Sequence, residues 1–283
     1  MKIEGKAFVV TGGIGIIGAA TAKIIAEKGG YPVIFDILDP AVGEAKIKEL
    51  PNGDKYYYQQ TDISNKESLQ TAIKQALQKI PKGSLAGAAH CAGIAPGKPW
   101  TNTMSDKIDD FEKVLKINTY GTFALNAVVA DAINSQYSPL DPFHDRVGEE
   151  RGSIVNIASI VAFDPPARCL TYGPSKTAVL GITNAAADYL APAGIRVNSV
   201  SPALVFSPLL NKGGRLAYFE EEMNAHSMFP RRVTDASEIA TAILFLIENE
   251  MVNAFHLKID AGWRNVSSWA GGTDPRARSN VLE

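Results

Sequence analysis

The sequence predicts an α/β fold: a doubly wound parallel sheet of about seven strands, with helices on both faces, in a single domain. Three observations lead there. Short apolar runs alternate with longer amphipathic stretches along the chain, with no linker or repeat between them. The first apolar run passes directly into Thr11-Gly-Gly-Ile-Gly-Ile-Ile-Gly18 and then into a helical stretch. A chain of 283 residues, 46% of them hydrophobic, supplies one large core of this class.

Ala7–Val10 reads as a buried strand, followed by the glycine turn and a helix over Ala19–Lys28 that stops at Gly29-Gly30. Glycines let a backbone approach a pyrophosphate, and a helix start offers free N–H groups and a favourable dipole. The phosphate-turn candidates are Gly12, Gly13, Gly15, Ile17 and Gly18. Tyr31–Phe35 is the second strand, and it ends in Asp36. An acid there accepts from both ribose hydroxyls of an adenosine and repels a 2′-phosphate. No Arg or Lys sits beside it, so NAD is expected over NADP; the plainer role for Asp36 is a strand-end helix cap.

A helix over Val42–Leu50, a strand over Tyr56–Gln60 and the step Thr61-Asp62-Ile63 follow. Ser64 is expected to cap a helix running through Gln78. The fourth strand, from Leu85, runs into Ala92-Gly93, small residues suited to close approach of a ligand. Lys107–Asn134 is a long helical stretch carrying Asn118, and residues 135–151 read as a polar surface excursion. The apolar run Ile154–Ala158 is a central strand that delivers Ser159 at its carboxyl end, where open α/β sheets bind ligands. Next come a helix from Tyr172 to about Ala193-Gly194 and a strand over Ile195–Val200. Residues 203–230, rich in apolar side chains, resemble a lid, although its aromatic and Met cluster also suits a core. Asp235 caps a helix through Leu246, Phe255–Asp260 is the last strand, and residues 264–283 are a polar tail after a domain spanning 1–263.

Tyr172 and Lys176 stand four apart, which on a helix stacks phenol and ammonium on one face. A tyrosine is a poor acid or base near neutrality because its ordinary pKa is about 10. A fixed cation favours the phenolate, so Lys176 is expected to make Tyr172 more acidic and fit for proton transfer to a substrate oxygen. Alone, that spacing equally describes a surface pair.

The formal net charge of -2, with no block of like charges, argues against nucleic acid or an anionic membrane as partner. No apolar run approaches a membrane span. Cys91 and Cys169 make no metal-type spacing with the four histidines. The opening residues run straight into a strand without a signal-peptide pattern, so free thiols in the cytoplasm are the expectation.

Taken together, Thr11–Gly18, Asp36, Asp62-Ile63, Ala92-Gly93, Asn118, Ser159, Tyr172/Lys176, Ile195–Pro202 and Asp260-Ala-Gly262 resemble the short-chain dehydrogenase/reductase family over almost the whole chain. The resemblance implies a Rossmann fold and hydride transfer between a nicotinamide and a carbon bearing an alcohol or ketone. It also implies roles. Tyr172 would be the general acid/base. Lys176 would lower its pKa and hold nicotinamide ribose hydroxyls. Ser159 would hold the substrate oxygen, and Asn118 would support a proton relay through water. Asp62 and Ile63 would contact adenine, while Pro202, Val205 and Ser207 would border the carboxamide. Phe163, Leu209, Leu210 and Phe219 are the residues expected to meet a mainly hydrophobic alcohol or ketone. The family commonly assembles through its long central helices, so a homodimer or homotetramer is expected.

The sequence departs from the family's pattern at four places. Ile16 stands where the middle glycine of the turn is usual, with Gly15 one place earlier. His90-Cys91 replaces an Asn-Asn that ties strands together, Ala203 replaces a glycine after Pro202, and Pro174 lies between Tyr172 and Lys176. Pro174 is tolerable only near a helix start. Alternatives to the redox reading are a non-redox isomerase or cyclase that keeps the cofactor, and a non-catalytic NAD-binding scaffold. The branch acting on 3-hydroxyacyl-CoA and hydroxysteroids is the most similar, through Arg151–Phe163 and Ser201–Leu210.

Overall fold

The computed structural model describes residues 1–96, 103–141, 144–208 and 215–264. Among them are seven strands: β1 (Ala7–Thr11), β2 (Tyr31–Asp36), β3 (Tyr57–Gln60), β4 (Leu85–His90), β5 (Gly152–Ile157), β6 (Ile195–Pro202) and β7 (His256–Ile259). They form one sheet in the order β3-β2-β1-β4-β5-β6-β7, with every pairing parallel. The order reverses between β1 and β4. A reversal of this kind opens a crevice above the carboxyl ends of the strands.

The helices are α1 (Ile16–Glu27), α2 (Pro40–Lys48), α3 (Lys66–Ala76), α4 (Ile108–Val114), α5 (Gly121–Asn134), α6 (Tyr172–Leu190), α7 (Arg215–His226) and α8 (Ala236–Glu248). One face of the sheet is covered by α1, α2 and α8, around Phe8, Val10, Ile25, Ile34, Val155 and Ile243. The other carries α3, α5 and α6, around Val9, Val33, Leu69, Leu125, Ile133 and Val197. Burial on both faces explains why the strands read as continuous apolar runs: β1, β4, β5 and β6 are buried throughout.

Local signals set the helix ends. The Asp235 carboxylate accepts from the first turn of α8 and Glu238 answers back to the Asp235 N–H, a reciprocal cap. The cap of α3 is Asn65, whose Oδ1 accepts from the Ser68 N–H at 2.9 Å, and not Ser64; Ser64 instead donates from its hydroxyl to Asp62. Pro174 falls in the first turn of α6, where its missing N–H has no helical acceptor to lose.

A buried guanidinium ties the far end of the sheet together. Arg196 pairs with Glu150 at 2.7 Å and donates to the carbonyls of Leu246, Ile247 and Val252, where α8 ends. The second half of the 135–151 segment is therefore anchored, with Arg151 N–H also bonded to Gly194 O. At the cleft end, α7 is held to the chain beyond β7. Met228 N–H donates to Ala261 O, Arg264 N–H to His226 O, and the His226 ring stacks on Trp263 at 4.9 Å. No helix among the described residues is long and apolar enough to cross a membrane.

Candidate active site

The β1–α1 turn is shaped by the absence of side chains. Gly12 has φ +60, and a Cβ there would stand 2.9 Å from Ala92 Cα; on Gly13 it would meet the Ile34 side chain at 2.7 Å, and on Gly18 the Gly12 oxygen at 2.2 Å. Gly15 caps α1 in an extended conformation, and no side chain caps the helix, so its first N–H groups are left for an anion. Ile16 starts α1 and is absent from the lining of the cleft, which Gly12, Ile14 and Gly15 form on this side. Ile17 packs its side chain on the core beneath α1.

The cleft has a volume of about 520 Å³ and runs along the carboxyl ends of β1, β2 and β4. It brings together seven of the expected cofactor residues: Gly12, Gly15, Asp36, Asp62, Ile63, Ala92 and Gly93. Asp36 is not a helix cap. Its carboxylate accepts from the Ile14 N–H at 3.1 Å and the Leu38 N–H at 3.4 Å, bracing the glycine turn while facing the cleft. Asp39 caps α2 instead. No basic residue stands beside Asp36 in the sequence, and the basic neighbour in the cleft is Lys46, which α2 brings into the same lining. That neighbour lies ten positions on in sequence, so only the helix that follows brings it back. Pro202 ends β6, and Val205 forms an isolated bridge with Thr234, which sets the course of the loop carrying Ser207.

The proton-transfer candidates stand beside this cleft and not in its lining, with Lys176 Nζ reaching its wall at Gly93. Ser159 follows β5, buried, and its oxygen accepts from the Val161 N–H at 3.4 Å while bonding to the Tyr172 phenol. Tyr172 opens α6, and the start of that helix is pinned from two sides. Thr177 donates to Ala162 O at 2.7 Å, and Asn118 donates to Ser175 Oγ at 3.0 Å. Lys176 turns inward and donates from Nζ to Ile157 O at 2.7 Å, with its nitrogen 5.8 Å from the Tyr172 ring centre.

This arrangement corrects the expected electrostatics. Burial pushes the Tyr172 phenol up to about 12, while the Ser159 hydrogen bond pulls it down and the nearby Cys169 thiol raises it. The Lys176 ammonium, 5.8 Å from the ring centre, does not offset that burial. Burial draws Lys176 itself down to about 8. Helical spacing does put both groups on one face, but the lysine spends its reach on a strand-end carbonyl.

Asn118 lies in a π turn, Leu115–Tyr120, between α4 and α5, a form that recurs at functional sites. Its side chain is fully committed: Nδ2 donates to Ile94 O and Ser175 Oγ, and Oδ1 accepts from the Ile94 N–H. Its carbonyl accepts from the Thr122 hydroxyl at 2.6 Å. Asn118 thus joins the segment after β4 to the start of α6. Gly93 sits between them, since a Cβ there would lie 3.2 Å from Asn118 Oδ1 and 3.4 Å from Lys176 Nζ.

The concern over His90-Cys91 resolves differently from the expectation. The strands are tied by Thr11, whose Oγ1 bonds His90 Nδ1 at 2.7 Å and accepts the Ala92 N–H at 3.2 Å. Cys91 lines the cleft and escaped the sequence reading, as did Ser175 and Thr177; their only signal was adjacency to residues already singled out. Among the substrate candidates, Phe163 is partly exposed beneath Lys258, 3.9 Å from its ring centre, and Phe219 lies on α7 against Tyr218. Leu209 and Leu210 fall outside the described residues. So does the tail beyond Arg264.

A parallel sheet with a glycine-turn cleft at its reversal, and a Ser, Tyr and Lys gathered beside it, defines a dinucleotide-dependent class of protein. A family model described as Enoyl-(Acyl carrier protein) reductase matches residues 14–264. The chain is 32% identical over 267 residues to 3-hydroxyacyl-CoA dehydrogenase type-2 of Homo sapiens, covering 93% of this chain and 97% of that protein. It is 28% identical to ipsdienol dehydrogenase of Ips pini, covering 93% and 99%. Among solved structures, 3-hydroxyacyl-CoA dehydrogenase type-2 from Mycobacterium avium superposes with a TM-score of 0.75 at 28% identity, over 94% of this chain and 99% of that one. The chain therefore belongs to the short-chain dehydrogenase/reductase family. Membership makes it an oxidoreductase of the CH–OH class that works with a nicotinamide cofactor.

Proposed function

We propose that the protein is an NAD(H)-dependent dehydrogenase that interconverts a secondary alcohol and a ketone on a mainly hydrophobic substrate, with Tyr172 as general acid/base. The observation that carries this reading is the meeting of Ser159, Tyr172 and Lys176 past the end of β5, with the Lys176 ammonium against Gly93 in the wall of the glycine-turn cleft. The residues present fit the dinucleotide. The turn has no room for a Cβ at Gly12 or Gly18, α1 has no side-chain cap, and Asp36 offers a carboxylate at the ribose end. Gly12, Gly15, Asp36, Asp62, Ile63, Ala92 and Gly93 would hold the adenosine side, and Lys176, Pro202, Val205 and Ser207 the nicotinamide side. When bound, the cofactor supplies the hydride chemistry.

The protein's part is position and protons. Ser159 orients the substrate oxygen and shares a hydrogen bond with Tyr172. A phenol held near 12 by burial keeps its proton at neutral pH, so Tyr172 Oη is ready to donate to a ketone oxygen. In the oxidative direction the same oxygen must first lose that proton, which makes oxidation rise with pH. Asn118 holds the segment after β4 against α6 and fixes the height of both groups. Asp36 favours NAD over NADP, with Lys46 opposing it only from an exposed position. Among substrate candidates, 3-hydroxyacyl thioesters and apolar secondary alcohols such as ipsdienol follow the relatives, and hydroxysteroids follow the resemblance of Arg151–Phe163 and Ser201–Leu210.

The test is absorbance at 340 nm with this panel, NAD and NADP being compared. Turnover with NAD at a kcat/KM at least tenfold above NADP is expected. Tyr172→Phe should lose roughly 10²–10⁴ in kcat while binding NADH within about threefold of wild type. Product formation without net NADH change, or full activity in Tyr172→Phe, sinks the reading.

A further inference from the structure

A row of polar side chains crosses the sheet beneath the catalytic corner. In parallel strands, partners in register project from the same face. The registers Thr11↔His90, His90↔Asn156, Asn156↔Ser199 and Ser199↔His256 therefore line up five polar residues on the face that carries α6. Thr11, His90, Asn156 and Ser199 are all buried. Most of the row is satisfied. Thr11 bonds His90 Nδ1, Asn156 Nδ2 donates to Thr183 Oγ1 at 3.1 Å, and Ser199 Oγ bonds His256 Nδ1 at 2.7 Å. In its middle, two atoms of neighbouring residues have no protein partner: His90 Nε2 and Asn156 Oδ1. A buried polar atom left unpaired costs about 1–3 kcal/mol, and two side by side call for an explanation.

Their chemistry is complementary. Thr11 Oγ1 accepts from the Ala92 N–H, and His90 Nδ1 is the acceptor found for its own hydrogen among the described residues, which assigns the imidazole hydrogen to Nε2. Burial, and the charge of Lys176 close by, hold that imidazole down to about 3, so it stays neutral at any working pH. Next to this N–H donor stands the Asn156 oxygen, an acceptor. Above them Lys176 Nζ uses one hydrogen on Ile157 O, the peptide after Asn156.

We propose that His90 Nε2–H and Asn156 Oδ1 hold one buried water beneath Lys176, and that His90 is thereby a positioning residue. The water accepts from His90 and from Lys176 and donates to Asn156. This gives the ammonium a second acceptor besides Ile157 O and keeps it charged at the level of the cleft. A donor, an acceptor and a cation are the two to four partners that a buried water takes. Around the ammonium stand Tyr172 from its own helix, His90 and Cys91 from the end of β4, Ile157 O from the end of β5 and Asn118 from the π turn. The charged groups of α4 and α5 (Asp109, Asp110, Glu112, Lys113 and Asp131) do not figure among those acting on Lys176. The inference rests on the reading of Tyr172 and Lys176 as the reacting pair.

Two variants separate a positioning role from a structural one. His90→Leu removes the donor, and His90→Gln restores an amide N–H near the place of Nε2. In His90→Leu the acid limb of kcat for alcohol oxidation should move up by about one pH unit, a tenfold loss at its foot, because a poorly solvated ammonium supports the phenolate less. His90→Gln should keep the limb within about 0.3 unit, a twofold change. Independently of turnover, ¹⁵N-histidine spectra of the wild type should show His90 as the Nε2–H tautomer that does not titrate above pH 4. A high-resolution crystal structure should show one water bonded to His90 Nε2 and Asn156 Oδ1. An Nδ1–H tautomer, a His90 titration near 6.5, or an unmoved limb in a folded His90→Leu overturns the inference. If His90→Leu does not fold, the wild-type spectrum and the water decide alone. An active Tyr172→Phe would instead sink the parent reading, whatever the His90 results.

Discussion

Gly18→Ala is the sharpest probe of the cofactor cleft. A Cβ on Gly18 would stand 2.2 Å from Gly12 O, and 2.7 Å from both Gly12 C and Gly13 Cα, where ordinary contact begins at 3.4 Å. All three atoms are backbone, so no rotamer relieves the clash, and the turn must open by about 1 Å. Opening breaks the Gly15 N–H to Gly12 O bond at 2.9 Å, worth roughly 0.5–1.5 kcal/mol. It also strains packing at a cost of about 1–3 kcal/mol. If about 2 kcal/mol of this must be recovered on binding, NADH affinity falls about thirtyfold. The matched control is Ile16→Ala, a change two residues earlier in the same turn that removes a side chain outside the cleft lining. NADH fluorescence titration and thermal melts report both quantities. Affinity within twofold of wild type in Gly18→Ala, or a larger loss in Ile16→Ala, would refute the assignment of the turn.

Two further perturbations test the framework that positions the site. Arg196→Leu strips Glu150 of its buried guanidinium and should cost about 3–5 kcal/mol, lowering Tm by roughly 10 °C; Arg196→Leu with Glu150→Leu should regain at least half. Equal melts for the single and double variants would show that the buried charge is not the cause. Glu238 is held down to about 2, first by Arg232 and then by the Asp235 N–H, from an ordinary value of 4.5. A depressed carboxyl stabilises above 4.5, and that contribution disappears as pH falls from 4.5 toward 2. With the side chain 40% exposed, screening leaves about 0.5–1 kcal/mol. Melts of Glu238→Gln should therefore lie below wild type at pH 7 and approach it as pH falls toward 2, with roughly half of the gap closed by pH 3; a constant gap contradicts the linkage.

What the sequence made legible was whatever depended on neighbours along the chain. A strand buried on both faces announces itself as an unbroken apolar run, and the Asp235/Glu238 cap is complete within four residues. The Asn65 cap was missed by one position because Ser64 and Asn65 both have the right chemistry, and only the backbone decides between them. What stayed hidden depended on distant segments meeting. Lys46 enters the cleft because α2 folds back over β2. Lys176 bonds a carbonyl nineteen residues earlier, which no helical spacing reveals. The row through Thr11, His90, Asn156, Ser199 and His256 needs the register of five strands, and register is set by the whole sheet.

The stack of His226 on Trp263 gives the molecule an optical gauge. An indole pressed against an imidazole changes its emission when the two part. Trp263 joins α7 to the stretch following β7, so any parting of the two alters the light it returns. Loosening of that corner is then readable with no label attached.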